Sequence, residues 1–143
     1  MCYALYLSTS SNEDLSVLNS ELLLFSRPTA ERDFVYLDLL TNANRWFVGS
    51  KSGCSCTFRQ FHESDAGFGA PEDWYKEDED NVAGTLLLYE VIARLINNGD
   101  AVDCVNAWDG VCPTLIESKT VSLAEVPANS FRLFENIRFA FAP

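Results

Sequence analysis

The middle of the chain carries the longest stretch of helical hydrophobic periodicity. When residues 82–98 are placed 100° apart, polar side chains fall on one narrow face and apolar side chains occupy the rest of the circumference. A helix with so little polar surface is expected to be largely enclosed by the rest of the protein. Asp80 or Asn81 is suited to cap its first turn, and Gly99 is suited to end it.

Shorter apolar runs on both sides of this helix predict strands of a β-sheet. Apolar residues alternate with polar ones over residues 131–141, which favours a half-buried strand that pairs antiparallel with residues 120–126. Residues 54–61 are expected to pair back on residues 46–48 as one arm of a hairpin. Further strands are predicted at residues 1–8, 22–25, 33–40 and 101–108.

Length and composition fit the same fold. The chain has 143 residues, of which 48% are hydrophobic. We therefore predict a single α+β domain over residues 1–143, with a mixed or mostly antiparallel sheet and one principal buried helix at about 82–98. No apolar run approaches the roughly 20 residues of a membrane-spanning helix. No basic segment precedes the apolar residues 1–7, so they do not read as an export signal. We expect no membrane partner and a cytoplasmic location, where the five cysteines stay reduced.

The net charge of the chain is −11, and most of it lies in one segment. From His62 to Asp80 there are eight acidic residues and one lysine, which together contribute −7. A nucleic-acid partner is not expected, because phosphate binding needs clustered Lys and Arg. A basic protein partner is expected instead. Residues 64–80, which we call the acidic loop, include glycines and a proline, and loops of this length are often functional.

The leading functional hypothesis is a binding or interaction module that uses the acidic loop. Its candidate binding residues are Trp74, Tyr75, Glu77, Asp78 and Glu79. Trp108 and Asp109 are further candidates, because the end of a buried strand commonly lines a pocket. The alternative for the acidic residues is structural, since negative charge also stabilises the first turn of the helix that follows.

Two cysteines lie together in the sequence Cys54-Ser55-Cys56, which is followed by Arg59 and by the only histidine, His62. On a strand, thiols two residues apart face the same side at about 7 Å, so a disulfide between them would be strained and easily reduced. Arg59 could lower a thiol pKa, and His62 could act as a base. Cys54, Cys56, Arg59 and His62 are therefore candidate catalytic residues of a small thiol-dependent enzyme or redox sensor. Burial of both cysteines as small apolar residues is the structural alternative.

A metal-binding protein is the second alternative. The two neighbouring thiols and His62 would need a further ligand from Cys2, Cys104 or Cys112. The Cys-x-Cys spacing is tighter than that of zinc fingers, so no residue is assigned as a metal ligand and no cofactor is predicted. Cys104 is expected in the core because it lies in an apolar strand, and Cys112 is expected in an exposed loop. The sequence does not indicate an oligomeric state.

Overall fold

A mixed β-sheet forms the centre of the structure, a computed structural model that describes residues 2–29, 35–108 and 110–143. The strands are β1 (Tyr3–Thr9), β2 (Leu23–Ser26), β3 (Asn44–Ser50), β4 (Gln60–Phe61), β5 (Val102–Trp108), β6 (Glu117–Ser122), β7 (Leu133–Phe134) and β8 (Ile137–Ala142). Six of them form the sheet in the order β2-β3-β1-β5-β8-β6, and only its last pair, β8 with β6, runs parallel. The other two, β4 and β7, form a short parallel pair of their own.

The principal helix, α1 (Glu79–Asn97), covers one face of the sheet. Side chains alternate along a strand, so Leu5 and Leu7 of β1 point to the same side and join the core that α1 closes with Leu88 and Ile92. The predicted α+β fold with one principal helix is confirmed. Burial of α1 is less complete than expected, because Leu86 remains 37% exposed.

The ends of α1 follow the chemistry of helix capping. The helix begins earlier than predicted, because Asp78 is the cap and accepts hydrogen bonds from the backbone N–H groups of Asp80 and Asn81. The predicted caps therefore lie inside the first turn. Gly99 follows the helix with φ +91°, a left-handed conformation that glycine adopts without steric cost.

The opposite face of the sheet is covered by the segment near residue 37. Tyr36, Leu37 and Leu40 pack there against Tyr6 and Val105. The predicted strand over residues 33–40 is wrong where it can be compared, since residues 35–37 are helical and residues 33–34 lie outside the described residues. Two successive buried side chains, Tyr36 and Leu37, can both face a sheet from a helix but not from a strand.

Two predicted hairpins are also wrong. Residues 120–126 and 131–141 were expected to pair antiparallel, but β6 and β8 are parallel. The alternating segment is divided into β7 and β8 at Asn136, whose φ of 58° interrupts the strand. The arm predicted over residues 54–61 keeps only β4, which pairs with β7 and not with residues 46–48.

No helix in the described part of the chain combines the length and the apolar character that crossing a membrane requires.

Candidate functional site

The Cys54-Ser55-Cys56 segment lies where strand β1 extends beyond its pairing with β3. That pairing begins at Leu5 and Val48, which leaves the first residues of β1 without a β3 partner. The Ser55 hydroxyl sits between the strands: it accepts from the N–H of Leu5 at 2.9 Å and donates to the carbonyl of Val48 at 2.7 Å. The N–H of Tyr3 donates to the Cys56 sulfur at 3.3 Å. Side chains of the segment thus bind backbone N–H groups of β1 and the carbonyl of Val48 in β3, at the end of the pairing between the two strands.

A tight turn delivers the segment to this position. The N–H of Gly53 donates to the carbonyl of Ser50, and the N–H of Ser50 donates to the carbonyl of Cys54. Gly53 has φ +85°, which an L side chain rarely adopts. A Cβ at Gly49 would lie 2.9 Å from the Gly53 carbonyl oxygen, so the close approach of the two backbones needs glycine there as well.

The turn brings three thiols together. The sulfurs of Cys2, Cys54 and Cys56 all lie within 4.8 Å of one another, and we call these residues the thiol cluster. Cys2 is exposed and the other two are half-buried, so solvent reaches the cluster. The geometry differs from the expected strand with thiols about 7 Å apart, because residues 54–58 form turns and bends instead of a strand.

The two turn cysteines have opposite acidity. Burial tends to raise the pKa of Cys54, but hydrogen bonds from Ser52, from the backbone N–H of Cys56 and from the two neighbouring thiols outweigh it and bring that pKa to about 7. The Ser52 hydroxyl lies 3.1 Å from the Cys54 sulfur. Burial and the adjacent Cys54 raise the pKa of Cys56 to about 12. Near neutral pH a substantial fraction of Cys54 is therefore thiolate, beside a Cys56 thiol that stays protonated.

A polar group borders the cluster through Tyr3. The Tyr3 hydroxyl donates to the Glu135 carboxylate at 3.1 Å and lies 3.4 Å from Nδ1 of His62. Burial first, and then Glu135, raise the pKa of Tyr3. The His62 side chain is 81% exposed, with Nδ1 3.5 Å from Glu135. His62 therefore neighbours the cluster through Tyr3, and its imidazole is not one of the groups that gather around the sulfurs.

Trp108 lies on the other side of Tyr3. The two residues are paired across β1 and β5, and their rings meet edge to face with centroids 4.7 Å apart. The backbone N–H of Trp108 donates to the Asn136 side chain. The predicted binding residue Trp108 thus supports the phenol next to the thiol cluster, while Asp109 lies outside the described residues.

Arg59 serves the acidic loop and not the thiols. Its guanidinium binds both carboxylate oxygens of Glu77, at 2.8 and 2.9 Å, and donates to the carbonyls of Gly69, Asn129 and Phe131. Arg59 is 3% exposed, and it is not among the main groups that set the pKa values of the two turn cysteines. The suggestion that Arg59 lowers a thiol pKa therefore gains no support.

The acidic loop is fastened at several points. Phe68 inserts among Phe131, Phe134 and Phe139. Arg132 donates to the carbonyls of Gly67 and Ala66. Of the predicted binding residues, Glu77 is held by Arg59, Asp78 caps α1, and Glu79 opens the helix. The remaining two, Trp74 and Tyr75, are exposed.

The other two cysteines lie where the sequence predicted. Cys104 is 1% exposed in the core, and burial raises the pKa of its thiol. Cys112 is exposed, and hydrogen bonds from Thr114 lower its pKa. Neither belongs to the thiol cluster, so Cys2 is the cysteine that joins the turn pair.

The sequence indicates three members of this region only weakly. It offers Cys2 as one of three alternatives for a further metal ligand, and no motif marks Tyr3 or Glu135 as a neighbour of the thiols. Glu135 did leave a signal, because it interrupts an otherwise apolar alternation in the sequence.

Comparison of the chain with protein-family models, with curated proteins and with solved structures found no match.

Proposed function

We propose that this protein performs thiol–disulfide exchange at the thiol cluster, as a small redox enzyme or redox sensor. The observation that carries the proposal is the convergence of three solvent-accessible sulfurs within 4.8 Å. Exchange needs a thiolate next to a second sulfur, and Cys54 and its neighbours meet both requirements. The proposed chemistry needs reduced thiols to begin, which fits the cytoplasmic location expected from the sequence.

The first step belongs to Cys54. Its thiolate attacks one sulfur of a substrate disulfide, R–S–S–R′, and forms the mixed disulfide Cys54–S–S–R. The leaving thiolate R′–S⁻ takes a proton from solvent. A pKa of about 7 suits the attack, because the exchange rate is highest when the pKa of the attacking thiol lies near the ambient pH.

We assign the second step to Cys2. Its sulfur gives its proton to solvent, attacks the Cys54 sulfur and displaces R–S⁻, so the protein dithiol loses two electrons and the substrate disulfide becomes two thiols. Cys2 is exposed and comes from a separate part of the chain. Cys56 is the poorer second thiol, because its pKa of about 12 keeps it protonated at neutral pH.

The test mixes the reduced protein with glutathione disulfide, quenches the reaction with acid, and follows the intact mass and the modified peptide. Wild type is expected to form a transient glutathione adduct at Cys54 and then to lose two hydrogens. Cys2→Ser should accumulate the adduct, because the second step is blocked. Cys112→Ser is the matched control, since it removes an exposed thiol outside the cluster, and its cluster peptides should react as those of wild type do.

Two results would count against this proposal. If Cys54→Ser reacts with glutathione disulfide as wild type does, the cluster is not the reactive centre. If the adduct accumulates in Cys56→Ser and not in Cys2→Ser, the second thiol is Cys56 and the assignment of Cys2 is wrong.

A second candidate function is the expected interaction with a basic protein, and the exposure of Trp74 favours it. Trp74 is 82% exposed, its ring centroid lies 6.0 Å from that of the 57% exposed Tyr75, and both help to line a cavity of about 270 Å³. Exposed aromatic side chains of this kind commonly anchor protein interfaces. Glu72 and Asp73 lie beside them and supply exposed negative charge.

This candidate is tested by binding of lysine- and arginine-rich peptides at low and high salt. Binding is expected to weaken with salt, and Trp74→Ala should reduce affinity by about 2 kcal/mol, or roughly 30-fold, as loss of an interface anchor typically does. Leu115→Ala is the control, because Leu115 is likewise a large exposed apolar residue, at 68%, but lies outside the acidic loop. Equal binding by Trp74→Ala and wild type would refute an aromatic anchor at this surface.

A further inference from the structure

The spacing of the thiol cluster matches what a metal ion requires of sulfur ligands. A zinc–sulfur bond of about 2.3 Å places the sulfurs of a trigonal or tetrahedral site roughly 3.8–4.0 Å apart. The three sulfurs already lie within 4.8 Å of one another, so each pair needs to approach by less than about 1 Å. We propose that the reduced cluster binds one thiophilic metal ion, of the class that includes Zn²⁺ and Cu⁺, through the sulfurs of Cys2, Cys54 and Cys56.

The site combines a fixed part with an adjustable part. Ser55 is fully buried between β1 and β3, and its two hydrogen bonds hold the backbone that carries Cys54 and Cys56. Cys2 precedes the first strand and is exposed, so its side chain can close on an ion without disturbing the core. A site built in this way needs little rearrangement when it binds.

The ligand type selects the class of metal. Thiolates favour Zn²⁺, Cu⁺ and related ions, whereas Mg²⁺ and Ca²⁺ require oxygen ligands. Among the described residues, the group contains sulfur donors only. The His62 imidazole expected in a mixed site lies with Tyr3 and Glu135 instead. Three sulfurs leave a fourth position of a tetrahedral ion open to water or to an external ligand.

Metal binding must displace protons from the cluster. Ligating cysteines are thiolates, so an ion that binds the three sulfurs releases their protons to solvent. A bound cation would offset the repulsion between neighbouring thiolates, so affinity should rise with pH as fewer protons have to be released. Metal binding involves only the reduced cluster, so it does not depend on the proposed exchange chemistry.

The test uses the full chain, reduced and kept free of oxygen, and titrates it with Zn²⁺ against a chromophoric chelator. Wild type is expected to bind about one equivalent, with sulfur-to-metal charge-transfer absorption when Co²⁺ replaces Zn²⁺. Cys2→Ser, Cys54→Ser and Cys56→Ser should each weaken binding at least about tenfold, since loss of even an outer-shell partner typically does so. Cys112→Ser should match wild type.

Two results would overturn the proposal, one measured on wild type and one on the variants. Co²⁺ spectra without charge-transfer bands, or zinc binding that is unchanged when all three cluster cysteines are replaced, would show that the cluster holds no metal. The glutathione experiment on the same preparation separates this failure from failure of the proposed function. If the protein exchanges disulfides but binds no Zn²⁺, the proposed exchange stands and the proposed metal site is wrong.

Discussion

Replacement of Ser55 by alanine is expected to destabilise the fold and to change the distances between the sulfurs of the thiol cluster. Ser55 is fully buried, and its hydroxyl is the acceptor for the N–H of Leu5 and the donor to the carbonyl of Val48. Alanine leaves both buried backbone groups without that partner. Each unsatisfied group costs about 1–3 kcal/mol, so we expect a loss of about 2–6 kcal/mol in the free energy of unfolding.

Urea denaturation of Ser55→Ala against wild type measures this loss, and thermal melting should agree. For a chain of this size, each kcal/mol lowers the Tm by roughly 3–5 °C. The rate of alkylation of Cys54 at neutral pH should change in the same variant, because the backbone that positions its sulfur loses its anchor.

Ser52→Ala is the matched control. It removes the exposed hydroxyl that lies 3.1 Å from the Cys54 sulfur and leaves the buried anchor in place. Its free energy of unfolding should stay within about 0.5 kcal/mol of wild type, as for most surface substitutions, while the pKa of Cys54 rises. If Ser55→Ala were as stable as Ser52→Ala, the hydroxyl would not be the link between β1, β3 and the thiols.

Three further predictions concern the acidic loop, the titration of the thiol and the turn. Glu77→Ala should lower the free energy of unfolding by about 3–5 kcal/mol, because it leaves the charge of Arg59 buried and unpaired. Asp73→Ala, at an exposed acidic residue of the same loop, should change it little. Equal urea midpoints for the two variants would contradict this prediction. Iodoacetamide labelling of Cys54 should rise through a midpoint near pH 7 and then level off, because the lowered pKa makes thiolate available above that pH; a rate still climbing beyond pH 9 would contradict it. Gly53→Ala should cost about 1–2 kcal/mol in urea denaturation, because alanine is strained at φ +85°, and a neutral result would mean that the turn relaxes.

The sequence predicts the helix and most central strands well, because their hydrophobic patterns are long. Helix α1 was expected from its periodicity, and β5 from its apolar run. Short segments were harder to predict, since an apolar run of a few residues fits a strand or a helix equally well. Residues 35–37 are helical for a reason that only packing supplies: Tyr36 and Leu37 both face the sheet.

The thiol cluster could be predicted only in part. The sequence shows that Cys54 and Cys56 are neighbours, but the distance between their sulfurs depends on a turn that takes the place of the expected strand. Cys2 joins them because β1 extends past β3, and strand offsets of this kind are set by tertiary pairing. For Arg59, proximity in the sequence is misleading: it is close to the thiols along the chain, but its guanidinium binds Glu77 of the acidic loop.

The most direct test of the thiol cluster is disulfide mapping after equilibration of the protein in glutathione buffers of graded potential. We expect a reversible intramolecular disulfide between Cys2 and Cys54, with its midpoint within roughly −180 to −320 mV, the range of glutathione potentials in cells. Thiols that stay reduced across the whole series, or that form disulfides only between molecules, would contradict the account.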